Sequence, residues 1–473
     1  MSKESYEKPS IIRHTIGTMN EFGRPSGQKR CEKIDGISVE QLVKNHGSPL
    51  VVFSEASIRK RHAALQRAFE LRYPKVQIAW SYKTNYQKAI CAVMHDEGSF
   101  AEVVSEYEYE MAINLGVEGK KIIYNGPHKP EPSLITAVQQ GTIINIDNFE
   151  EVYLLEKIAD SLNRTVEVGI RINMDTGMYP AWDRFGFNLE NGQADEAAER
   201  IMSSKKLKLT GLHSHIGTFI LEPRFYQQAV LNLCGFAGRM KEKFKIDLKY
   251  MDIGGGFASR NRLKSTYLPT TDLAPDFDSF AEAICSVLLN SFPKDNLPIL
   301  FLETGRAIID EAGYLITTVE ATKRLPTGLR ALVLDAGVNI MVTSFWYDLE
   351  MLPVQKKSTF LEDHVVFGPL CMQIDVIRDL IKLPVLSKGD NLVIRPFGAY
   401  NTTQWMQFIK MRPAIVMIGM LKEVDIIREA EDVSYLHQKD HLPERFARKT
   451  NGKNSKLLPK HLKMVPDKKK IIG

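Results

Sequence analysis

The chain has little with which to cross-link itself. Five cysteines, Cys31, Cys91, Cys234, Cys285 and Cys371, are scattered along 473 residues and no Cys-x-x-Cys occurs. An odd, widely spaced set argues against a disulfide framework or a structural zinc site. Long apolar runs are also missing. None reaches the ~18 residues that span a bilayer, and Met1 to Ser10 is polar, without the apolar stretch of a secretory leader. The expectation is a cytoplasmic protein with no membrane partner. Neither GxGxxG nor GxxxxGK[ST] is present, so a nucleotide cradle is not expected. Excess positive charge is confined to one end. From Arg445 to Gly473 ten Lys or Arg face one acid, Asp467, so of the net +5 the tail carries +9 and the remainder −4. That balance argues against a nucleic-acid-binding core, and the tail reads as a solvated extension.

What is present is an alternation. From residue 75 onward eight strand-like runs follow one another: Val76–Lys83, Phe100–Ser105, Lys121–Gly126, Thr142–Asp147, Val166–Asn173, Leu207–Gly217, Leu248–Gly256 and Pro298–Arg306. Helix-favouring stretches such as Glu106–Leu115, Phe149–Leu162, Pro223–Lys243 and Phe277–Leu289 separate them. Strands alternating with crossover helices predict a parallel sheet, and eight units close a (β/α)8 barrel. After residue 310 the period changes. Short β-branched runs at Tyr314–Ala321, Arg330–Leu334, His364–Phe367 and Asn391–Ile394 read as an antiparallel β domain. The expected division is an N-terminal segment 1–50 that partly joins the β domain, a barrel over 51–310, a β domain over 311–430 and a basic tail over 431–473. The opening segment shows little helical signal before Ser38–Asn45.

The strand ends carry the reactive residues, as the C-terminal rim of such a barrel requires. The first run ends in Lys83, the second near Glu102, and the fifth holds Arg171. The sixth ends in His213-Ser214-His215-Ile216-Gly217-Thr218, the seventh in Asp252-Ile253-Gly254-Gly255-Gly256-Phe257, and the eighth in Glu303-Thr304-Gly305-Arg306. A lone lysine is usually a solvated charge, but one at a strand end is also a candidate Schiff-base nucleophile. Three glycines make either a tight turn or an anion-binding concavity. With Arg306 beside them they suit a monophosphate. Glu303 is either the ion-pair partner of Arg306 or the acid that a pyridine nitrogen needs. His215 closes a His-x-His pattern, which suits a metal or, without further histidines on neighbouring strands, a ring-stacking role. An amine, a phosphate cradle and a carboxylate on one rim suggest pyridoxal 5'-phosphate. No metal is expected.

Two later motifs extend the series: Gly368-Pro369-Leu370-Cys371-Met372-Gln373-Ile374-Asp375 and Phe397-Gly398-Ala399-Tyr400. With Tyr-Lys-Thr-Asn at 82–85, His-Ile-Gly-Thr at 215–218 and the triglycine and Glu-Thr-Gly-Arg runs, they occur in an order that resembles the diaminopimelate/ornithine decarboxylases, fold-type III enzymes dependent on pyridoxal phosphate. The likeness spans roughly residues 45–425. It implies an alanine-racemase-like barrel plus β domain. Lys83 would be the Schiff-base lysine, His215 the histidine stacked on the cofactor, and Glu303 the partner of the ring nitrogen. Thr218, Gly254, Gly255, Gly256, Arg306 and Tyr400 would hold the phosphate, with Thr218 where serine is usual. Glu102 stands where many members have aspartate, and Arg171 joins the cofactor-binding set. Cys371 would protonate the substrate carbon from the neighbouring subunit of a homodimer, and Met372 and Asp375 would face the substrate.

The departures bear on substrate. The acid that usually follows the cysteine is Met372 here, and the segment Ala336–Tyr347 lacks the arginine that diaminopimelate enzymes place before a tyrosine. A substrate charge left unpaired costs much affinity. The expectation is therefore decarboxylation of an amino acid, or of an amino acid tethered to a carrier or conjugate, other than ordinary meso-diaminopimelate. A racemase or epimerase on the same fold is the alternative, and a non-catalytic homologue a third reading.

Overall fold

The computed structural model describes residues 29–180, 182–264, 274–357 and 360–445. The chain forms two compact units, Met1–Ala430 and Glu431–Gly473. In the second, a short helix Val433–Leu436 is capped by Asp432, which accepts the Tyr435 N–H at 2.8 Å. The tail beyond Arg445 lies outside the described residues, as does the start of the N-terminal segment.

The first unit contains a closed barrel of eight parallel strands, Val76–Ser81, Phe100–Val103, Ile122–Tyr124, Ile143–Ile146, Val166–Asn173, Leu207–His213, Tyr250–Asp252 and Ile299–Thr304. The fifth and sixth strands pair with one another, and the eighth pairs with the first, which closes the ring. Side chains alternate across each strand. Ala79, Ile123, Tyr250 and Phe301 therefore fill the interior, while their neighbours pack outward against the helices. Tyr250 dominates this plug. A Cβ on Gly169 or Gly211 would lie 2.2 or 2.0 Å from its ring or hydroxyl, so two strand glycines make room for one phenol. Its hydroxyl donates to Asn145 Oδ1 at 2.7 Å.

The crossover helices start where their sequences say. Ser105 and Glu108 bracket the start of Glu106–Asn114, and Asn148 and Glu151 bracket that of Phe149–Ser161. In each pair the cap side chain accepts the glutamate N–H, and the glutamate accepts the backbone N–H preceding the cap, Val104 or Asp147.

The second sheet is built on Gly313–Arg324, which pairs antiparallel with Arg330–Leu334, Asn391–Arg395 and Leu50–Ser54. Leu50–Ser54 comes from before the barrel. Its residues Val51 and Phe53 enter the main core and Leu50 and Val52 enter a second one. The sheet departs from the antiparallel expectation in two pairings. Leu50–Ser54 runs parallel to Ile415–Ile418, and Arg330–Leu334 runs parallel to Leu361–Phe367. In the second case a long crossover through Asp335–Phe360 returns the chain in the same direction, which a tight hairpin cannot do. Among the described residues, no helix is long and apolar enough to cross a membrane.

Candidate active site

The first barrel strand runs straight into a 3-10 turn, Tyr82–Thr84, that carries Lys83. The β domain clamps this turn. Tyr400 N–H donates to Thr84 O at 2.9 Å, and Thr403 Oγ1 donates to Lys83 O at 2.9 Å. Lys83 Nζ donates to Glu102 Oε2 at 2.5 Å. Burial by itself would depress the ammonium, but the Glu102 and Glu303 carboxylates outweigh it and hold its pKa above the ordinary lysine value.

Glu102 also accepts from Ser81 Oγ at 2.5 Å and from Asn125 Nδ2 at 3.1 Å. The same Asn125 amide donates to Glu303 Oε1, and Asn145 in turn fixes Asn125 through its Oδ1 at 2.9 Å. Beneath Glu303 lie His213, whose Nε2 is 3.5 Å from Glu303 Oε2, and the fully buried Asp252. The ligand-type atoms of these three side chains lie within 4.8 Å of one another. Burial and the adjoining Glu303 push the Asp252 carboxyl well up, so it keeps a proton. Burial opposes ionisation of Glu303 as well, yet His213, Lys83 and the hydrogen bond from Asp252 prevail and its pKa falls. The pair thus holds one proton, on Asp252, and Glu303 is a carboxylate.

The seventh strand turns sharply through Gly254 (φ +68°), Gly255 and Gly256 (φ +98°). A Cβ on Gly255 would meet Glu303 O at 2.2 Å, and one on Gly256 would meet Gly217 O at 2.3 Å. Gly255 N–H donates to His215 Nδ1 at 3.0 Å. Burial, then Arg171 and Lys83, drive the His215 pKa far down, so the ring is neutral with its remaining proton on Nε2. Arg306 begins a short helix after the eighth strand. Its guanidinium lies 4.9 Å from the Tyr347 and Tyr400 ring centres and 3.7 Å from Asp310 Oδ2. Among the described residues, its buried Nε and Nη1 have no hydrogen-bond acceptor. Arg171 Nη1 lies 3.8 Å from Asp147 Oδ1, and its guanidinium sits 4.5 Å from the Phe185 ring centre.

These side chains line one cavity of about 640 Å³. It gathers Lys83, Glu102, Arg171, His215, Thr218, Gly255, Gly256, Glu303, Arg306 and Tyr400, all singled out from the sequence. Gly254 lies just behind the wall, packed on His215. Cys371, Met372 and Asp375 do not line it. Cys371 is exposed. Asp375 is buried and accepts the N–H groups of Val338 and Leu370 at 2.8 and 2.7 Å, so within this chain it ties a loop together. Sequence reading missed Asn125, Trp182, Phe185, Phe219, Trp346 and Tyr347, which also line the cavity. Asn125 had a signal, because it ends the third strand-like run.

The residues fit a pyridoxal phosphate. The unsatisfied Arg306 nitrogens and the tight glycine bay suit a phosphate, the ionised Glu303 suits a protonated ring nitrogen, and Lys83 supplies an amine. Comparison with known proteins agrees. Residues 55–310, just over half of the chain, match the family described as pyridoxal-dependent decarboxylase, pyridoxal binding domain. The diaminopimelate decarboxylase of Methanothermobacter thermautotrophicus is 28% identical over 431 residues, covering 88% of this chain and 97% of that protein. That of Aquifex aeolicus is 28% identical over 418 residues, covering 85% and 94%. The crystal structure of diaminopimelate decarboxylase from M. jannaschii superposes with a TM-score of 0.80 at 28% identity, covering 87% of this chain and 96% of that one. With a closed eight-strand barrel, a separate β-sheet domain and this site, the chain belongs to the fold-type III pyridoxal-dependent decarboxylases, carboxy-lyases that work with pyridoxal 5'-phosphate.

Proposed function

We propose that this enzyme removes the α-carboxylate of an amino acid, free or conjugated, other than ordinary meso-diaminopimelate, with Lys83 as the amine that engages the cofactor. The observation that carries the reading is the convergence of Lys83, Glu303, His215, the glycine turn and Arg306 on one cavity. Bound pyridoxal phosphate supplies the electron sink for the bonding pair that remains when carbon dioxide leaves.

Glu303, ionised, keeps a proton on the ring nitrogen and so strengthens that sink. His215, neutral, adds a flat face with no competing charge. Arg306, Thr218, Tyr400 and the Gly254–Gly256 turn hold the phosphate. Glu102 and Ser81 steer the Lys83 amine. Return of a proton to the α-carbon falls to Lys83 or to the partner subunit's Cys371, because Cys371 of the same chain is not in the cavity wall. This reading therefore includes a homodimer with shared sites.

The substrate claim is supported by position. Of the segment Ala336–Tyr347, it is Thr343, Trp346 and Tyr347 that line the cavity, and none is a cation. The distal carboxylate of meso-diaminopimelate would go unpaired there. The test is release of carbon dioxide from free, N-modified and carrier-linked amino acids by the cofactor-loaded enzyme. Meso-diaminopimelate as the best substrate would end the substrate claim. Inversion of a stereocentre without carbon dioxide would replace decarboxylation with racemisation. Lys83→Ala should lower turnover by more than ~1,000-fold, and near-normal turnover would remove the lysine from its role.

A further inference from the structure

The cavity has charged groups, but none is left over. Lys83 is bonded to Glu102, Arg171 lies beside Asp147, and Arg306 lies beside Asp310. Glu102 keeps Ser81 and Asn125 as donors even when Lys83 is engaged elsewhere, and Glu303 accepts from Asn125 with His213 Nε2 3.5 Å away. Among the described residues, every charged side chain in the wall thus has an opposite charge or a hydrogen-bond donor of this chain within 4 Å, and the nitrogens that Arg306 leaves unbonded are those assigned to the phosphate. The largest side chains in the lining that remains after the cofactor's residues are set aside are aromatic, among them Trp182, Phe185 and Trp346, beside smaller uncharged ones such as Leu263, Thr343 and Gln404.

An aromatic wall can also bind cations through ring faces. Here two of those rings already carry guanidinium groups. The Phe185 ring carries the Arg171 guanidinium at 4.5 Å and the Arg184 guanidinium at 4.9 Å, and the Tyr347 ring carries Arg306 at 4.9 Å. A further ammonium at the Phe185 face would meet two guanidinium groups. Trp182 meets the neutral His215 edge-on, with ring centres 5.3 Å apart, and Trp346 is half exposed at the rim. The motif expected to face a partner subunit's cavity adds no free acid, since Met372 follows Cys371 and Asp375 is bound to two backbone N–H groups.

We propose that Trp182, Phe185 and Trp346 form a subsite for an uncharged aromatic amino-acid side chain. This rests on the decarboxylase reading above and names its substrate class. Flat rings gain edge and face contacts with such a wall, whereas a distal ammonium or carboxylate would be desolvated without a counter-charge.

The test uses the cofactor-loaded enzyme and both enantiomers of phenylalanine, tyrosine and tryptophan against lysine, ornithine, glutamate and meso-diaminopimelate. Binding is read from the change in cofactor absorbance, independently of turnover. The aromatic set should bind at least ~100-fold more tightly than the charged set. Charged amino acids binding equally well, or aromatic ones leaving the absorbance unchanged, would overturn the subsite. Carbon dioxide scored in the same samples separates the two ideas. Tight aromatic binding without its release leaves the subsite and sinks the decarboxylation of that class. Release from charged amino acids alone keeps the decarboxylase and sinks the subsite. Trp346→Glu, at a half-exposed position, should narrow the preference for tyrosine over lysine at least ~10-fold. An unchanged ratio in a folded variant would also overturn the assignment.

Discussion

Glu108 and Glu151 occupy the same place in two copies of one helix-capping device, and burial raises the pKa of both, against a nearby cation only at Glu151. Glu151 is paired with buried Lys129 at 2.6 Å. Among the described residues Glu108 has no cation in contact, and burial pushes its pKa up to about 7 even though the Val104 N–H helps the ionised form. The folded value lies above the unfolded one, so the folded state is favoured by the proton. That benefit is complete below the ordinary carboxylate range and disappears as pH rises through about 7. The loss is on the order of 3 kcal/mol. Glu108→Gln retains an acceptor for Val104 and cannot ionise. Its melting temperature should sit near that of the parent at pH 5 and exceed it at pH 8, and a parallel shift at both values would refute the buried-acid account. At this scale the sequence was legible where chemistry and chain position coincide, as at Lys83, Glu303 and Arg306. It was silent on Asp310, because an acid that serves another side chain has no motif of its own.

Elements were legible wherever period and punctuation agree. All eight barrel strands and the four helices singled out from the sequence are present within a few residues of their expected limits. The strands Ile415–Ile418 and Val376–Pro384 were not foreseen. The first is four apolar residues, too short for its period to tell strand from helix. The second has no clean alternation, because Arg378, Asp379, Leu380 and Lys382 face a partly open surface. The glycine turn is the element on which cofactor binding is most exposed to test. Gly256 sits at φ +98°, and a side chain there would collide with Gly217 O and approach the Tyr226 hydroxyl at 3.0 Å. Gly256→Ala should weaken pyridoxal phosphate binding by at least tenfold, about 1.4 kcal/mol, in a protein whose circular dichroism is unchanged. Equal cofactor affinity, measured by titrating the apoprotein, would show that the bay does not hold the phosphate.

At the scale of the whole molecule, the barrel and the sheet are stitched together around the lysine. Leu50–Ser54 enters the sheet before the barrel begins, and residues 400–403 return from the sheet to hold the Lys83 turn. Cys371 stays outside the cavity of its own chain, so the proposed homodimer makes a sharp prediction. If the partner's Cys371 is the proton donor, Lys83→Ala (inactive) and Cys371→Ala (impaired) proteins should together regain up to about a quarter of parental activity above the sum of the two alone when their subunits are mixed and exchanged, because each mixed dimer holds one intact site. No recovery, with exchange verified, would place the cysteine's action elsewhere. The sequence by itself determined the strand count, the rim on which the chemistry sits and the family, because alternation and strand-end motifs are local properties of the chain. Only the tertiary structure decided which charges neutralise one another, that Asp252 lies against Glu303, and which aromatic rings join the wall. Those facts depend on ring closure and on contacts between residues far apart in sequence, and a linear pattern does not record such distances.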